Sequence, residues 1–212
     1  MLSVILPSYN EEKMIAKATA RMAEILQPEK IDYELLFIDD GSRDGTWAQI
    51  NEAAEKDSHV VGVHFSRNFG KEAAMLAGLQ RATGDYVSLI DADLQQPPAA
   101  VLEMVRFLEA NPDYDCVAAY PDKRREGKFL AHCKKRFYQL INAACDIHFR
   151  PDASDFRTFR RSVRDSILEL TEYHRFSKGI FAWVGYSTCF IPYTACERAN
   201  GTTKWSFWKL FN

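Results

Sequence analysis

Cysteine is scarce and shows no pairing pattern: Cys116, Cys133, Cys145, Cys189 and Cys196 are odd in number, with no Cys-x-x-Cys spacing and no His-rich partner segment. This argues against a disulfide framework and a zinc site, and fits a reducing, cytosolic setting. The histidines, His59, His64, His132, His148 and His174, lack metal-ligand spacing, which leaves them packing or surface roles. No run of 18 apolar residues is present to span a bilayer. No basic leader or cleavable apolar stretch precedes the apolar run 2–6, so no secretory signal is expected. Glycine loops for phosphate are also missing. Gly-x-Gly-x-x-Gly does not follow the first apolar run, and Gly-x-x-x-x-Gly-Lys-Ser/Thr occurs nowhere, which disfavours an ordinary dinucleotide fold and a P-loop. Internal repeats, low-complexity stretches and a convincing linker are absent, so 212 residues with 47% hydrophobic content read as one full α/β domain plus an appendage.

Several features stand against these absences. The net charge of −2 conceals an asymmetry: residues 123–164 hold 12 Lys and Arg against 4 Asp and Glu, a net of +8, leaving −10 elsewhere. One surface should therefore prefer anions. Apolar runs at 2–6, 33–38, 59–65 and 85–90 are each followed by a polar loop and then by apolar residues at helical spacing. The helical sets are Met14, Ala18, Met22, Ile25 and Leu26; Trp47, Ile50, Ala53 and Ala54; Ala74, Met75, Ala77, Gly78 and Leu79; and Val101, Leu102, Val105 and Leu108, ended by Asn111-Pro112. Four strand and helix units in strict alternation predict right-handed crossovers and a largely parallel sheet, to which residues 115–119 add a candidate fifth strand.

Parallel sheets bind ligands beyond the carboxyl ends of their strands, so the loops after strands one, two and four should meet at one crevice. Those loops carry Tyr9, Asn10 and Glu11; Asp39 and Asp40; and Asp91, Asp93 and Gln95. Asn and Asp also serve as helix caps and turn residues, and singly each has that explanation. Together they form a cluster of hard oxygen ligands able to hold a divalent cation against a diphosphate, the task a glycine loop would otherwise perform. Lys71, after Gly70, is placed to touch a phosphate.

Four motifs occur in order: Pro7-Ser8-Tyr9-Asn10-Glu11, Ile38-Asp39-Asp40-Gly41-Ser42-Arg43-Asp44-Gly45-Thr46, Ser66-Arg67-Asn68-Phe69-Gly70-Lys71 and Asp91-Ala92-Asp93-Leu94-Gln95-Gln96-Pro97-Pro98. They resemble those of family 2 glycosyltransferases, in particular the polyprenyl-phosphate subgroup that is dolichol-phosphate mannose synthase-like and bactoprenol glucosyltransferase-like. The match continues through Asp155-Phe156-Arg157, Phe181-Ala182-Trp183-Val184-Gly185 and the segment 197–206. The resemblance implies the nucleotide-diphospho-sugar-binding α/β fold called GT-A and inverting transfer of one sugar to a lipid phosphate. It implies that Asp40 faces the nucleobase, that Pro7, Tyr9 and Glu11 line the nucleotide pocket, and that Asp91 faces the ribose and phosphates. Asp93 and Gln95 would coordinate Mg²⁺ or Mn²⁺. Asp155 stands where a base or acceptor-orienting carboxylate sits, although a buried Asp paired to Arg157 or Arg160 would look the same in sequence.

The acceptor half is expected over 120–200, following a nucleotide-sugar and metal half over 1–119, the two making one catalytic domain. Arg124, Arg125 and Arg136, with Arg157, Lys178 and Arg198, are the candidate ligands of the acceptor phosphate. The basic stretch opens an amphipathic pattern (Phe129, Phe137, Leu140, Ile141) suited to an anionic membrane surface, or to a merely solvated helix. Two departures from the family occur here. Ala118-Ala119-Tyr120 replaces a frequent Gly-x-Arg, and Lys178 stands where relatives carry Arg, keeping charge but not bidentate geometry. Residues 201–212 are aromatic and basic, as a juxtamembrane interfacial segment or a tail packed on the core would be, and stop where many relatives continue into two transmembrane helices. The Gln-x-x-Arg-Trp of processive synthases is absent, which favours single-sugar transfer.

The sequence thus points to metal-dependent transfer of one sugar, UDP-glucose being the favoured donor, to a polyprenyl phosphate at the cytoplasmic membrane face. GDP-mannose is the alternative donor, and a non-catalytic membrane-associated subunit is the alternative of another class. Nucleic acid is not an expected partner, because stacking aromatics are not interleaved in the basic stretch. Self-association is left open.

Overall fold

In the computed structural model, the described residues are 1–122, 154–172 and 175–196. The chain alternates β1 (Leu2–Ser8), α1 (Glu12–Leu26), β2 (Tyr33–Asp39), α2 (Thr46–Lys56), β3 (Val60–His64), α3 (Lys71–Arg81), β4 (Tyr86–Leu89), α4 (Ala99–Ala110) and β5 (Cys116–Pro121). It continues with β6 (Arg157–Arg160), a second helical pair that we label α5 (Arg161–Leu168) and α6 (Ser177–Trp183), and β7 (Thr188–Tyr193). The four expected strand and helix units are all present, and the candidate at 115–119 is β5.

The strands form one sheet in the order β3-β2-β1-β4-β6-β5-β7. Pairings β1 with β2, β1 with β4, β2 with β3 and β5 with β7 are parallel, whereas β6 runs antiparallel to both β4 and β5. The sheet is thus mostly parallel, as expected, with one reversed strand that periodicity did not reveal. Arg157-Thr158-Phe159-Arg160 is only four residues long and has Phe159 as its one apolar residue, so it carries no apolar run. Its polar atoms are accommodated by long-range partners: Ser88 Oγ lies 2.9 Å from Thr158 Oγ1, and Arg160 donates to the carbonyls of Leu108 and Tyr114 at 2.6 and 3.1 Å. Strand β7 was also missed, since Pro192 interrupts its apolar residues.

Helices cover both faces, which is why β1 and β2 read as unbroken apolar runs. Leu2, Val4, Leu6, Leu35 and Phe37 pack with α1, α2 and α4, while Ile5, Leu36 and Ile38 pack with α3, α5 and α6. The period of two in a strand divides the side chains between the layers. Crossing order positions the site. The chain moves from β1 outward to β2 and β3, then returns to β4 on the other flank of β1. A crevice opens at such a reversal, because α1 leaves β1 on one face while α3, which carries the chain back to β4, lies on the other.

Among the described residues no helix is long and apolar enough to cross a membrane. The basic stretch 123–153 and the segment 201–212 lie outside the described residues.

Helix α3 approaches β1 closely enough that a Cβ on Gly78 would stand 2.3 Å from Ile5 Cγ2. Gly78→Val should therefore overpack this layer and cost about 2–3 kcal/mol of stability. The expected result in urea unfolding is a lower midpoint with an unchanged slope; a midpoint equal to wild type would show that α3 does not sit this tightly on β1.

Candidate nucleotide-sugar site

A cavity of about 390 Å³ opens at the reversal point. It is lined by Pro7, Ser8, Tyr9 and Glu11 from the end of β1, Asp40 from β2, Asn68, Gly70, Lys71 and Ala74 from the start of α3, and Asp91, Ala92 and Asp93 from β4. Seven of the residues expected at a nucleotide-sugar site therefore share one cavity: Pro7, Tyr9, Glu11, Asp40, Lys71, Asp91 and Asp93.

The first two loops support each other. Asn10, at φ 53°, donates its backbone N–H to Ser42 Oγ at 2.9 Å and accepts from the Arg43 N–H at 3.0 Å. The Glu11 N–H donates to Thr46 Oγ1 at 2.8 Å. Asn10 thus performs the turn chemistry that its residue type allows, and in doing so sets the wall that carries Tyr9 and Glu11. Asp39 is fully buried and accepts from the Ser42 N–H at 3.1 Å, while its other oxygen lies 2.8 Å from His64 Nδ1.

Asp40 is 4% exposed and turns its carboxylate to the loop before α3, accepting from the Phe69 N–H at 2.6 Å and the Gly70 N–H at 2.9 Å. Burial pushes its pKa up, the two N–H donors oppose that, and neighbouring Asp39 adds to the rise. Gly70, at φ +97°, adopts a backbone that L side chains rarely enter, and this turn aims the first turn of α3 into the cavity.

Lys71 is the next residue. Its Nζ lies 2.6 Å from Asp91 Oδ1 and 3.2 Å from Asp155 Oδ2, so it bridges a carboxylate after β4 to one before β6. Burial works to lower the Lys71 pKa, but Asp91 and Asp155 outweigh it and hold the ammonium above its usual range. Burial likewise opposes ionisation of Asp155, yet Lys71, then Lys178 and Arg157, bring its pKa below the ordinary value. The ion-pair partner of Asp155 is thus Lys71, 84 positions away; of the two arginines that the sequence offers, Arg157 contributes charge without pairing and Arg160 is committed to the Leu108 and Tyr114 carbonyls.

Asp91 is held from its other side by Gln96, which is 6% exposed: the Asp91 N–H donates to Gln96 Oε1 at 2.9 Å, and Gln96 Nε2 donates to Asp91 Oδ2 at 3.1 Å. Gln96 stands inside the motif that follows β4, and nothing in its residue type separates it from its neighbour Gln95. Leu94, at φ 57°, bends the chain so that Asp93 accepts from the Gln95 N–H at 3.0 Å and from Gln95 Nε2 at 2.6 Å. Asp91 and Asp93 present hard oxygens to the cavity, a donor set that suits Mg²⁺ or Mn²⁺. Among the described residues no three of His, Cys, Asp and Glu converge on one point. The arrangement fits an ion bound by one or two carboxylates and completed by substrate phosphates and water, the usual form of a Mg²⁺ site.

Of the expected acceptor-phosphate ligands, Lys178 stands in the first turn of α6, close enough to Asp155 to bear on its ionisation. Arg157 is 4% exposed, with its guanidinium 4.0 Å from the centre of the Phe181 ring and one Nη donating to the Ser154 carbonyl at 3.0 Å. Its Nε is the one buried side-chain polar atom without a hydrogen-bond partner among the described residues. So placed, it contributes charge from beneath Asp155. Arg124, Arg125, Arg136 and Arg198 lie outside the described residues.

The family described as Glycosyl transferase family 2 matches residues 3–168. Over its whole length the chain is 40% identical to the uncharacterized glycosyltransferase sll0501 of Synechocystis sp., covering 66% of that protein. It is 36% identical, again over its whole length, to the prophage bactoprenol glucosyl transferase homolog of Escherichia coli, covering 69% of it. The chain therefore spans about two thirds of the length of these relatives. Among solved structures, the mannosyltransferase PcManGT from Pyrobaculum calidifontis, in complex with GDP-Man and Mn²⁺, superposes with a TM-score of 0.66 at 22% identity, over 95% of this chain and 58% of that one. That likeness is one of fold, the GT-A fold. With the cavity at the sheet reversal and the motifs that line it, these matches show that the chain belongs to glycosyltransferase family 2.

Proposed function

We propose that the chain transfers a single sugar from a nucleotide-diphospho-sugar, UDP-glucose in the favoured reading, to a polyprenyl phosphate, with inversion at the anomeric carbon. The observation that carries this is the convergence of Asp40, Lys71, Asp91 and Asp93 on one cavity. The relatives named bactoprenol glucosyl transferase support glucose and a lipid phosphate over the mannose of the GDP-Man-bound neighbour. Membrane association at the cytoplasmic face follows from the acceptor.

In this reading Pro7, Tyr9 and Glu11 line the nucleotide, and Asp40 faces the base while holding the Phe69-Gly70 turn. Asp93 and Gln95, whose side chains already lie together, would hold Mg²⁺ or Mn²⁺, which supplies Lewis-acid neutralisation of the departing diphosphate. Lys71, ionised beside Asp91, adds a fixed positive charge on the same side of the cavity. Stabilising the leaving group is the main requirement, since sugar transfer passes through an oxocarbenium-like transition state. The bond between the anomeric carbon and the diphosphate oxygen breaks as one forms to an acceptor phosphate oxygen. A phosphate monoester has its second pKa at about 6, so the acceptor is mostly dianionic at neutral pH and needs little help from a base. Asp155, with its pKa lowered, is a weak proton acceptor; it serves instead to fix Lys71 on the donor side and to orient Lys178 toward the acceptor phosphate. Residues 1–119 act as the donor half and 120–200 as the acceptor half.

Nucleotide sugars screened by thermal shift should raise the melting temperature only with Mg²⁺ or Mn²⁺, UDP-glucose most, and radiolabelled glucose should then pass to a polyprenyl phosphate. Absence of metal-dependent stabilisation by every donor would remove the enzyme reading. Asp93→Ala is expected to lower turnover at least about a hundredfold with melting of the unliganded protein unchanged; full activity in this variant would refute its ligand role.

The ion pair has a pH signature. Because the folded pKa of Asp155 is depressed, its contribution to stability is present above the ordinary Asp value of about 3.9 and is lost as pH falls through the folded value. Lys71→Met removes the largest interaction favouring ionisation, so the Asp155 carboxyl should titrate at higher pH than in wild type, read from its ¹³C shift. An unmoved midpoint would show that the pair does not form in solution.

A further inference from the structure

Four consecutive residues, Phe69-Gly70-Lys71-Glu72, join groups that lie far apart in sequence. The N–H groups of Phe69 and Gly70 are held by Asp40, and Lys71 reaches Asp91 and Asp155. Glu72 extends the series to α6: its carboxylate accepts the Ser177 N–H at 3.1 and 3.0 Å, one oxygen each, and also accepts the Ser177 hydroxyl. These contacts span 105 residues and cap the start of α6, whose N-terminal flanking residue supplies no side-chain cap. Ser177 is 9% exposed, so the contacts are sheltered from water. Lys178 follows Ser177 directly, and Phe181, one turn on, lies against Arg157. The placement of Lys178 near Asp155 therefore depends on where α6 begins, while Arg157 is held by β6 and packs against the same helix.

We propose that Glu72 is a positioning residue for the acceptor: by gripping Ser177 it sets α6 so that Lys178 is presented beside Asp155, and it ties that placement to the same turn of α3 that Asp40 holds at the donor cavity. Glu72 does not line the cavity and touches neither carboxylate. Its effect is expected on the acceptor and not on the donor. Burial of Ser177 gives the interaction leverage, because a buried N–H left without a partner costs more than an exposed one. The proposal rests on the reading of Asp155 and Lys178 as acceptor-side groups.

The test uses the full chain with Mn²⁺, UDP-glucose and a polyprenyl phosphate in detergent. Glu72→Ala should raise KM for the polyprenyl phosphate about tenfold, the scale of losing one hydrogen bond to a charged group. KM for the donor and the metal-dependent thermal stabilisation by the donor should stay at wild-type values. Glu72→Gln, which retains one carbonyl acceptor where the carboxylate has two, should raise the acceptor KM by a smaller factor, about threefold, and with exchange at 177–183 quickened to a matching degree it carries the test if the alanine variant does not fold. Independently of any turnover, hydrogen exchange should quicken at 177–183 in Glu72→Ala while 72–81 remains protected. Unchanged exchange at 177–183 overturns the proposal, as does an unchanged acceptor KM, or donor and acceptor KM rising together. A wild-type chain that binds no nucleotide sugar would instead defeat the transferase reading, and the exchange experiment would still decide whether Glu72 holds α6.

Discussion

The ammonium of Lys71 lies between two carboxylates supplied by neighbouring strands, Asp91 after β4 at 2.6 Å and Asp155 before β6 at 3.2 Å. A cation so placed offsets the repulsion that two ionised carboxylates near one cavity would otherwise exert, and the interaction is reciprocal: each carboxylate keeps the lysine charged, and the lysine keeps Asp155 ionised. Lys71 reaches this position because Gly70 turns the chain at φ +97° and Asp40 holds the two N–H groups of that turn. The acidic loop after β4, the start of α3 and the residues before β6 are thus interdependent. Moving any of them exposes a charge that the others balance.

The sheet makes this arrangement possible. Strand β1 lies between β2 and β4, so the loops leaving the carboxyl ends of three strands face one opening. Reversed strand β6 adds to it from the other direction, bringing Asp155 to the cavity edge and Arg157 beneath it. Parallel strands supply the wall of the cavity, and the antiparallel strand brings in the carboxylate that meets Lys71. Charge is also sorted. Carboxylates gather at the ends of β2 and β4, whereas the cations come from α3, β6 and α6, an order that suits the proposed transfer between an anionic donor and an anionic acceptor.

Much of this was legible in the sequence because it is encoded locally. The strands β1 and β2, buried on both faces, appear as unbroken apolar runs; the helices α1 to α4 appear as apolar residues at helical spacing; and the polar loops after β1, β2 and β4 identify themselves by position. The resemblance to family 2 glycosyltransferases, read from ordered motifs, agrees with the family match over residues 3–168. What could not be read were β6, too short and polar to leave a pattern, β7, interrupted by Pro192, and the roles of Gln96 and Glu72, each an ordinary polar residue next to one with a stronger signal.

The sequence by itself determined the alternation of strands and helices over β1 to α4 and which loops carry oxygen ligands, since each of these follows from periodicity or from residue type at a strand end. The tertiary structure alone decided which charges meet. Lys71 and Asp155 are 84 positions apart and Glu72 and Ser177 are 105 apart, and no local pattern encodes either pair. Their meeting depends on the order in which strands add to the sheet, and Coulomb attraction, acting over a few ångströms of space, is indifferent to separation along the chain.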